Sequence, residues 1–411
     1  VNGRLSISWP VVPLGELARV YSGGTPSRGV PTYWGGGIPW VTTAEIDAGF
    51  IASARETITE AGLKASAARI APPGTLLLAM YGQGKTRGKA ALLRIPAAMN
   101  QACAAIEVGS RLDGRYLLYY LASRYDEIRS MSNAGSQENL SGELVRRIPI
   151  AVPPICEQRA IAALLSDADD LIAQQERTIT KKQAIKQGVM QQLLAGRARL
   201  PGFTEPWVES RVGNFLEFKN GLNKASQFFG SGTPIVNFMD VMNGPFIAAA
   251  DMEGRVTLTR DEIRRFSAKR GDLFFTRTSE TVDEVGTAAV LIEDIPDATF
   301  SGFILRGRPH SAVCESRFIA YLFQIDSVRS QVTSAASYTT RALTNGRSLG
   351  RVVVRLPSLG EQCAISSVLE DSEAEISALR ERLKKALSIK QGMMQQLLTG
   401  RIRLPVKQSA A

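Results

Sequence analysis

Residues 153–165, PPICEQRAIAALL, open a stretch that closes at 186–201 with KQGVMQQLLAGRARLP, and the chain writes that stretch twice. The second copy runs from PSLGEQCAISSVL at 357–369 to KQGMMQQLLTGRIRLP at 390–405, 204 residues further on and without a gap. Nearly half of the positions are identical, dense at both ends and sparse between them. A fixed-period repeat dictates architecture before any local reading. Here it makes the chain two units, each a large block followed by a long helix.

Each copy reads as one helix, the first over about 157–194. Pro153, Pro154 and Pro357 suit positions just outside a helix N-terminus, and Gly196 and Gly400 suit C-terminal stops. In the second copy Ile365, Leu369, Ser372, Ile376, Leu379, Leu383 and Ala386 alternate steps of four and three, a coiled-coil seam. The first copy keeps the register more loosely with Ile161, Leu165, Ala168, Ile172, Gln175 and Ile179, followed by polar Lys182. Gly188 and Gly392 interrupt both helices at roughly 1 kcal/mol each relative to Ala. That cost, borne twice, points to close helix-to-helix approach or to a partner surface. A helix of this length is a rod of roughly 57 Å that cannot bury its stripe alone, and the nearest mate is the other copy.

The bulk numbers fit two blocks with cores of their own. The chain has 411 residues, 44% hydrophobic and 21% charged, without an apolar run long enough for a membrane span. The opening VNGRLSISWPVV lacks the pattern of a signal peptide, so a cytoplasmic protein is expected. A net charge of +10 biases the surface toward polyanions. Four cysteines far apart, with no CxxC pair, predict neither a disulfide framework nor a zinc site. His310 is the only histidine, which leaves one candidate base for His-based catalysis.

Block one mixes Gly/Pro turns with short β-type runs and a helical pattern at 114–130, which reads as mixed α and β with antiparallel or barrel-like strands. Block two repeats the plan with little identity. GIPWVTTAEI (37–46) is echoed by GTPIVNFMDV (232–241), PGTLLLAM (73–80) by RGDLFFTRTS (270–279), and the helical pattern at 114–130 by one at 316–332. Trp9-Pro10 and Pro206-Trp207 correspond in position. The scaffold is kept while the loops diverge.

The two proline-then-EQ-then-helix segments ending KQGxMQQLLxGRxRLP, together with GSQENLSGELVRRIPIAVPP at 135–154, make the whole chain resemble the DNA specificity subunit of type I restriction-modification systems. The resemblance implies target recognition domains at 1–152 and 202–356, conserved helical regions at 153–201 and 357–405, and a tail at 406–411. It implies a mixed α+β fold, with two recognition domains joined by two long antiparallel helices forming an intramolecular coiled coil, pseudo-two-fold symmetric. Such a subunit is not an enzyme and holds no cofactor. It reads an asymmetric, bipartite double-stranded DNA sequence and recruits two methyltransferase subunits, which carry S-adenosylmethionine, and the restriction and translocation subunits. The alternatives are a duplicated protein–protein adaptor and a self-contained DNA-modifying enzyme.

Candidate DNA contacts lie in the loops that differ between the blocks, where strand ends present amides, hydroxyls and cations. In block one these are Arg28, Thr42, Thr43, Tyr81, Gln83, Lys85, Arg87, Ser136, Gln137 and Asn139. In block two they are Asn220, Lys224, Asn237, Arg277, Thr278, Ser279, Tyr338, Thr339 and Arg341, with Arg277 the one suited to a guanine edge or a phosphate. The early Gly-rich loops also offer Tyr33 and Trp34, although such a pair more often closes a small core. Candidate partner contacts are the repeated helix-end residues Gln187, Met190, Gln191 and Leu194, with Gln391, Met394, Gln395 and Leu398. GQGKT at 82–86 is not a phosphate loop, because Ala79 stands where the first glycine is needed.

Overall fold

The computed structural model describes residues 9–47, 49–82, 85–131, 139–311, 313–338 and 340–405. It divides into two units, one of residues up to Glu176 together with those from Glu381 on, the other Arg177–Arg380. Each unit is a mixed α+β domain that includes part of two long helices, Ile155–Leu194 and Leu359–Leu397.

In the first unit a five-stranded sheet has the order Ala18–Ser22, Cys103–Val108, Leu76–Ala79, Ala90–Leu93, Gly49–Ile51, antiparallel except for its last pair. Strand Trp34–Val41 lies between Glu56–Ile58 and Ala98–Met99 in a smaller sheet, and Val11–Pro13 pairs with Pro149–Ala151. The run LLLA at 76–79 is apolar throughout because both faces of its strand are covered. Leu76 and Leu78 pack with Tyr116, Leu117, Leu121 and the helix residues Ile161 and Leu165. Leu77 and Ala79 pack on the other side with Val41, Ile46 and Met99.

The second unit repeats that order and every pairing sense. Its five strands are Leu216–Asn220, Ile304–Pro309, Leu273–Thr276, Ala288–Leu291 and Phe246–Ile247. Phe229–Val236 lies between Arg255–Val256 and Thr299–Phe300, and Val208–Arg211 pairs with Val353–Leu356. It also has a three-stranded ribbon of Thr278–Ser279, Ala342–Leu343 and Ser337–Tyr338. The echoed segments at 37–46 and 232–241, and at 73–80 and 270–279, thus supply equivalent strands. The single helices expected at 114–130 and 316–332 are each broken, into Gly114–Ser123 and Tyr125–Ser130, and into Ser316–Leu322 and Asp326–Ser334. Each break returns apolar side chains to the same core, Ile128 in the first unit and Phe323, Ile325 and Val328 in the second.

The seam residues read from the heptads are the covered ones, with Ile161, Leu165, Ile172, Ile179, Ile365, Leu369 and Ile376 all buried. Ion pairs fix the direction of the helices within each unit. Asp169 pairs with Lys390 and Glu157 with Arg403 in the first, Lys182 with Glu375 and Lys186 with Glu373 in the second. In each unit the two helices therefore run past one another in opposite directions. Close helix approach at Gly188 and Gly392 is not observed, since a Cβ at either would meet nothing within 4 Å.

The EQ dipeptide explains how each domain is held on its helices. Glu157 is 1% exposed and accepts two bonds from Arg403 at 2.7 Å, and Glu361 is wholly buried and accepts from Arg199 at 2.6 and 2.7 Å. Gly400 and Gly196 have positive φ, 72° and 68°, which turns the following GRxRLP segment back toward that carboxylate. A Cβ on either glycine would press on Trp9 or Trp207, the tryptophans at corresponding positions. The adjoining Gln158 accepts from the Asp113 N–H and donates to the Arg111 and Pro153 carbonyls; Gln362 does the same with Glu315, Val313 and Pro357. One residue ties the helix start to the other helix's end, and its neighbour ties it to the domain.

Candidate nucleic-acid interface

At one end of each five-stranded sheet, three loops meet on a shared hydrogen-bond frame. In the first unit the Met80 N–H donates to the Ala102 carbonyl at 2.8 Å, and the Met80 carbonyl accepts from Leu140 at 3.0 Å. In the second, Arg277 donates to Phe303 at 3.0 Å and accepts from Thr344 at 2.9 Å. The frame thus equates Arg277 with Met80 and Phe303 with Ala102. A fourth loop is held against it at a glycine in each unit. A Cβ on Gly23 would lie 2.1 Å from the Met99 carbonyl oxygen, and one on Gly221 2.0 Å from that of Ser301.

The frame sorts the sequence candidates. At the first tip stand exposed Thr25, bonded to Gln101, then exposed Tyr81 and half-buried Asn139. Lys85 is exposed beside it, its carbonyl bound by the Tyr125 hydroxyl at 2.6 Å. Arg87, expected as a DNA contact, is only 5% exposed. Gln83, Ser136, Gln137 and Thr339 lie outside the described residues. At the second tip stand Asn220, Asn223, half-buried Arg277 and Thr278, and exposed Thr340 and Arg341, with Tyr338 on the three-stranded ribbon. Ser279 is 7% exposed, its hydroxyl given to Glu284, so it braces the loop.

Several candidates carry local work that their neighbours in space reveal. Arg28 lies 3.8 Å from the Trp34 ring centre and donates twice to Glu56, at 2.6 and 2.7 Å; those bonds hold the Glu56 carboxyl below its usual pKa. Lys224 sits over Phe228 and donates to both oxygens of Glu262 at 2.8 Å, and with the Thr259 N–H holds that carboxyl down to about 2. The Lys224 side chain is 16% exposed in its cage, and that of Arg28 55%. Thr42 and Asn237 cap short helices in boxes closed by Glu45 and Asp240, and Thr43 opens the first of them. Trp34 meets Trp40 edge to face and packs on a small core with Ile38 and Ile58.

Phe303 was not among the sequence candidates. It is 62% exposed, as is Tyr338, and both belong to the second unit. Its signal in the sequence is TFSGFI, where Ser-Gly turns the chain between one phenylalanine that is buried and one that is not.

Of the helix-end candidates, Met190, Leu194 and Leu398 are 2% exposed and complete the cores of their own units, and Met394 packs against one of them. The alternating step of three and four carries these side chains inward. Gln187, Gln391 and Gln395 face outward, and half-buried Gln191 reaches Asp326. Beside the open glycines, Ile185 and Ile389 are 50% and 62% exposed, so the IKQG repeat presents one surface twice.

Among the described residues no cluster of three or more His, Cys, Asp or Glu is placed to hold a metal ion, and no helix is long and apolar enough to cross a membrane. The tips are arrays of amides, hydroxyls, guanidiniums and aromatic rings, a chemistry of binding and base reading.

Comparison with known proteins agrees with that chemistry. Residues 7–186 match the family described as type I restriction modification DNA specificity domain. The specificity subunit of the type I restriction enzyme MjaIX of Methanocaldococcus jannaschii is 24% identical over 302 residues, 69% of either chain. That of EcoKI from Escherichia coli K12 is 22% identical over 419 residues, 96% of this chain and 89% of its own. In fold, the S subunit of a type I restriction-modification system from M. genitalium superposes with a TM-score of 0.57 at 14% identity, covering 97% of this chain and 98% of its own. Over nearly its whole length the chain is similar to the DNA specificity subunits of type I restriction-modification systems.

Proposed function

We propose that this chain is the non-catalytic part of such a system, and that its two domains each read one half of an asymmetric, bipartite DNA sequence. The observation that carries this reading is one sheet topology written twice with unlike side chains at equivalent tip positions. Two readers of one design but different chemistry suit two unlike half-sites. The boundaries 1–152, 153–201, 202–356 and 357–405 are the working division into readers and helical regions.

The paired helices form an intramolecular coiled coil with approximate two-fold symmetry, and their length sets the gap between the half-sites. Because the IKQG surface occurs twice, it docks two copies of one methyltransferase subunit, through Ile185, Gln187 and Gly188 and through Ile389, Gln391 and Gly392. Restriction and translocation subunits join that core, and the assembly works in the cytoplasm. The test is a selection from random duplex DNA with the chain reconstituted with its methyltransferase. It should return two unlike half-sites at a fixed gap. A single contiguous motif, a palindrome or no enrichment would overturn the proposal.

A further inference from the structure

Building on that DNA reading, we propose that Lys219, Arg265 and Arg306 form a seat, present in the second domain only, for one backbone phosphate of the bound DNA. Lys219 on strand Leu216–Asn220 stands directly opposite Arg306 on strand Ile304–Pro309. Like charges facing each other across an antiparallel pair destabilise a sheet. Arg306 is also 5% exposed; its Nη1 donates to the Ser267 carbonyl at 2.8 Å, while its Nε–H has no partner among the described residues. The Lys219 ammonium donates to the Arg265 carbonyl at 2.7 Å, at the end of the helix Arg260–Arg265. Phe266 carries Lys219 and Arg265 over its ring, and Phe300 carries Arg306.

Of the two neighbouring carboxylates, Asp272 has both oxygens engaged by Arg308, at 2.7 and 2.6 Å, and Glu217 is exposed, opposite Arg308 on the same strand pair. Burial, and then Arg306 and Arg265 nearby, push the Lys219 pKa down, and burial does the same for Arg306. The group missing from this cluster is an anion. Its place identifies the anion as DNA phosphate, because Lys219 directly precedes Asn220 and Arg306 follows Phe303 by three residues, both at the second tip. At the equivalent place in the first domain Tyr21 faces Ala105, and the Tyr21 hydroxyl donates to Glu107. No two cations face each other across that strand pair, and Arg19, over the Tyr21 ring, lies 4.0 Å from Glu107.

The experiment compares the full chain with a Lys219→Gln, Arg265→Gln variant, leaving buried Arg306 in place. Binding is read by fluorescence anisotropy over a salt series, on a random-sequence duplex pool and on the duplex enriched from it. Losing one phosphate contact should lower the slope of log K against log salt by about 0.9 and weaken both DNAs about equally, leaving their ratio unchanged. The Tm of the free chain should stay level or rise as repulsion is relieved. An unchanged slope, a loss confined to the enriched duplex, or a fall in Tm with unchanged binding would overturn the seat and leave the DNA reading standing. A wild-type chain that binds neither DNA would overturn both.

Discussion

Where the first domain has Met80, Ala102 and a tyrosine facing an alanine, the second has Arg277, Phe303 and a lysine facing an arginine, all on the same backbone frame. At the frame positions themselves the first domain carries no charge, and the second carries an arginine and an exposed phenylalanine. Beneath the tips the domains share the same devices, from the glycine pressed against a carbonyl to the glutamate clasped by the other helix's end. The difference teaches that the fold separates holding from reading. Residues that hold the loops recur, and residues at the loop ends are free to change.

The clasp is where this agreement is most exposed to test. Glu361 accepts from Arg199 and from the Trp207 indole at 3.2 Å, whereas the Trp9 indole has no such partner beside Glu157. Glu361→Ala should lower the thermal midpoint by about 5 °C or more, and Glu157→Ala by less, because it strands one buried donor fewer. Equal shifts, read by calorimetry, would mean the indole bond contributes nothing. Next, Gly23→Ala and Gly221→Ala should each cost about 2–3 kcal/mol, since backbone oxygens must move aside. A urea titration in which only one of the two loses stability would break the claim that the loop bases are equivalent.

Smaller effects sharpen the contrast at the tips. Arg277→Ala should weaken binding to the selected duplex by about 2 kcal/mol and relax base preference in one half-site only. Tyr81→Ala should leave that half-site alone and loosen the other. Competition against duplexes altered in either half would reveal a variant that loosens both. Smallest are Gly188→Ala and Gly392→Ala. Each should stabilise the free chain by about 0.5–1 kcal/mol, because nothing crowds the new methyl group. Each should also weaken association with the methyltransferase, measured by titration of the purified subunits.

Much of this architecture is legible in the sequence, because repetition and periodicity are properties of a string. The two long helices, their buried seam and the echoed strands at 37–46 and 232–241 all follow from spacing alone. The fate of single cations does not. Arg28 and Lys224 look free until Glu56 and Glu262, 28 and 38 residues away, fold against them. The repeat also misleads about glycine, since a residue kept at a cost in both copies suggests crowding, and Gly188 and Gly392 stand in open space. Phe303 was missed for the opposite reason: an aromatic residue between apolar strands reads as core, and only the frame turns it outward.

Arg403 closing on Glu157 has a consequence for synthesis. The first domain's core includes Leu397 and Leu398, and its buried carboxylate waits for a guanidinium 246 residues further along. A ribosome that has released the first 200 residues has therefore made a domain that lacks one wall. Chains terminated early leave that wall open, with apolar surface and an unpaired buried charge exposed together, the signature by which quality control distinguishes unfinished proteins.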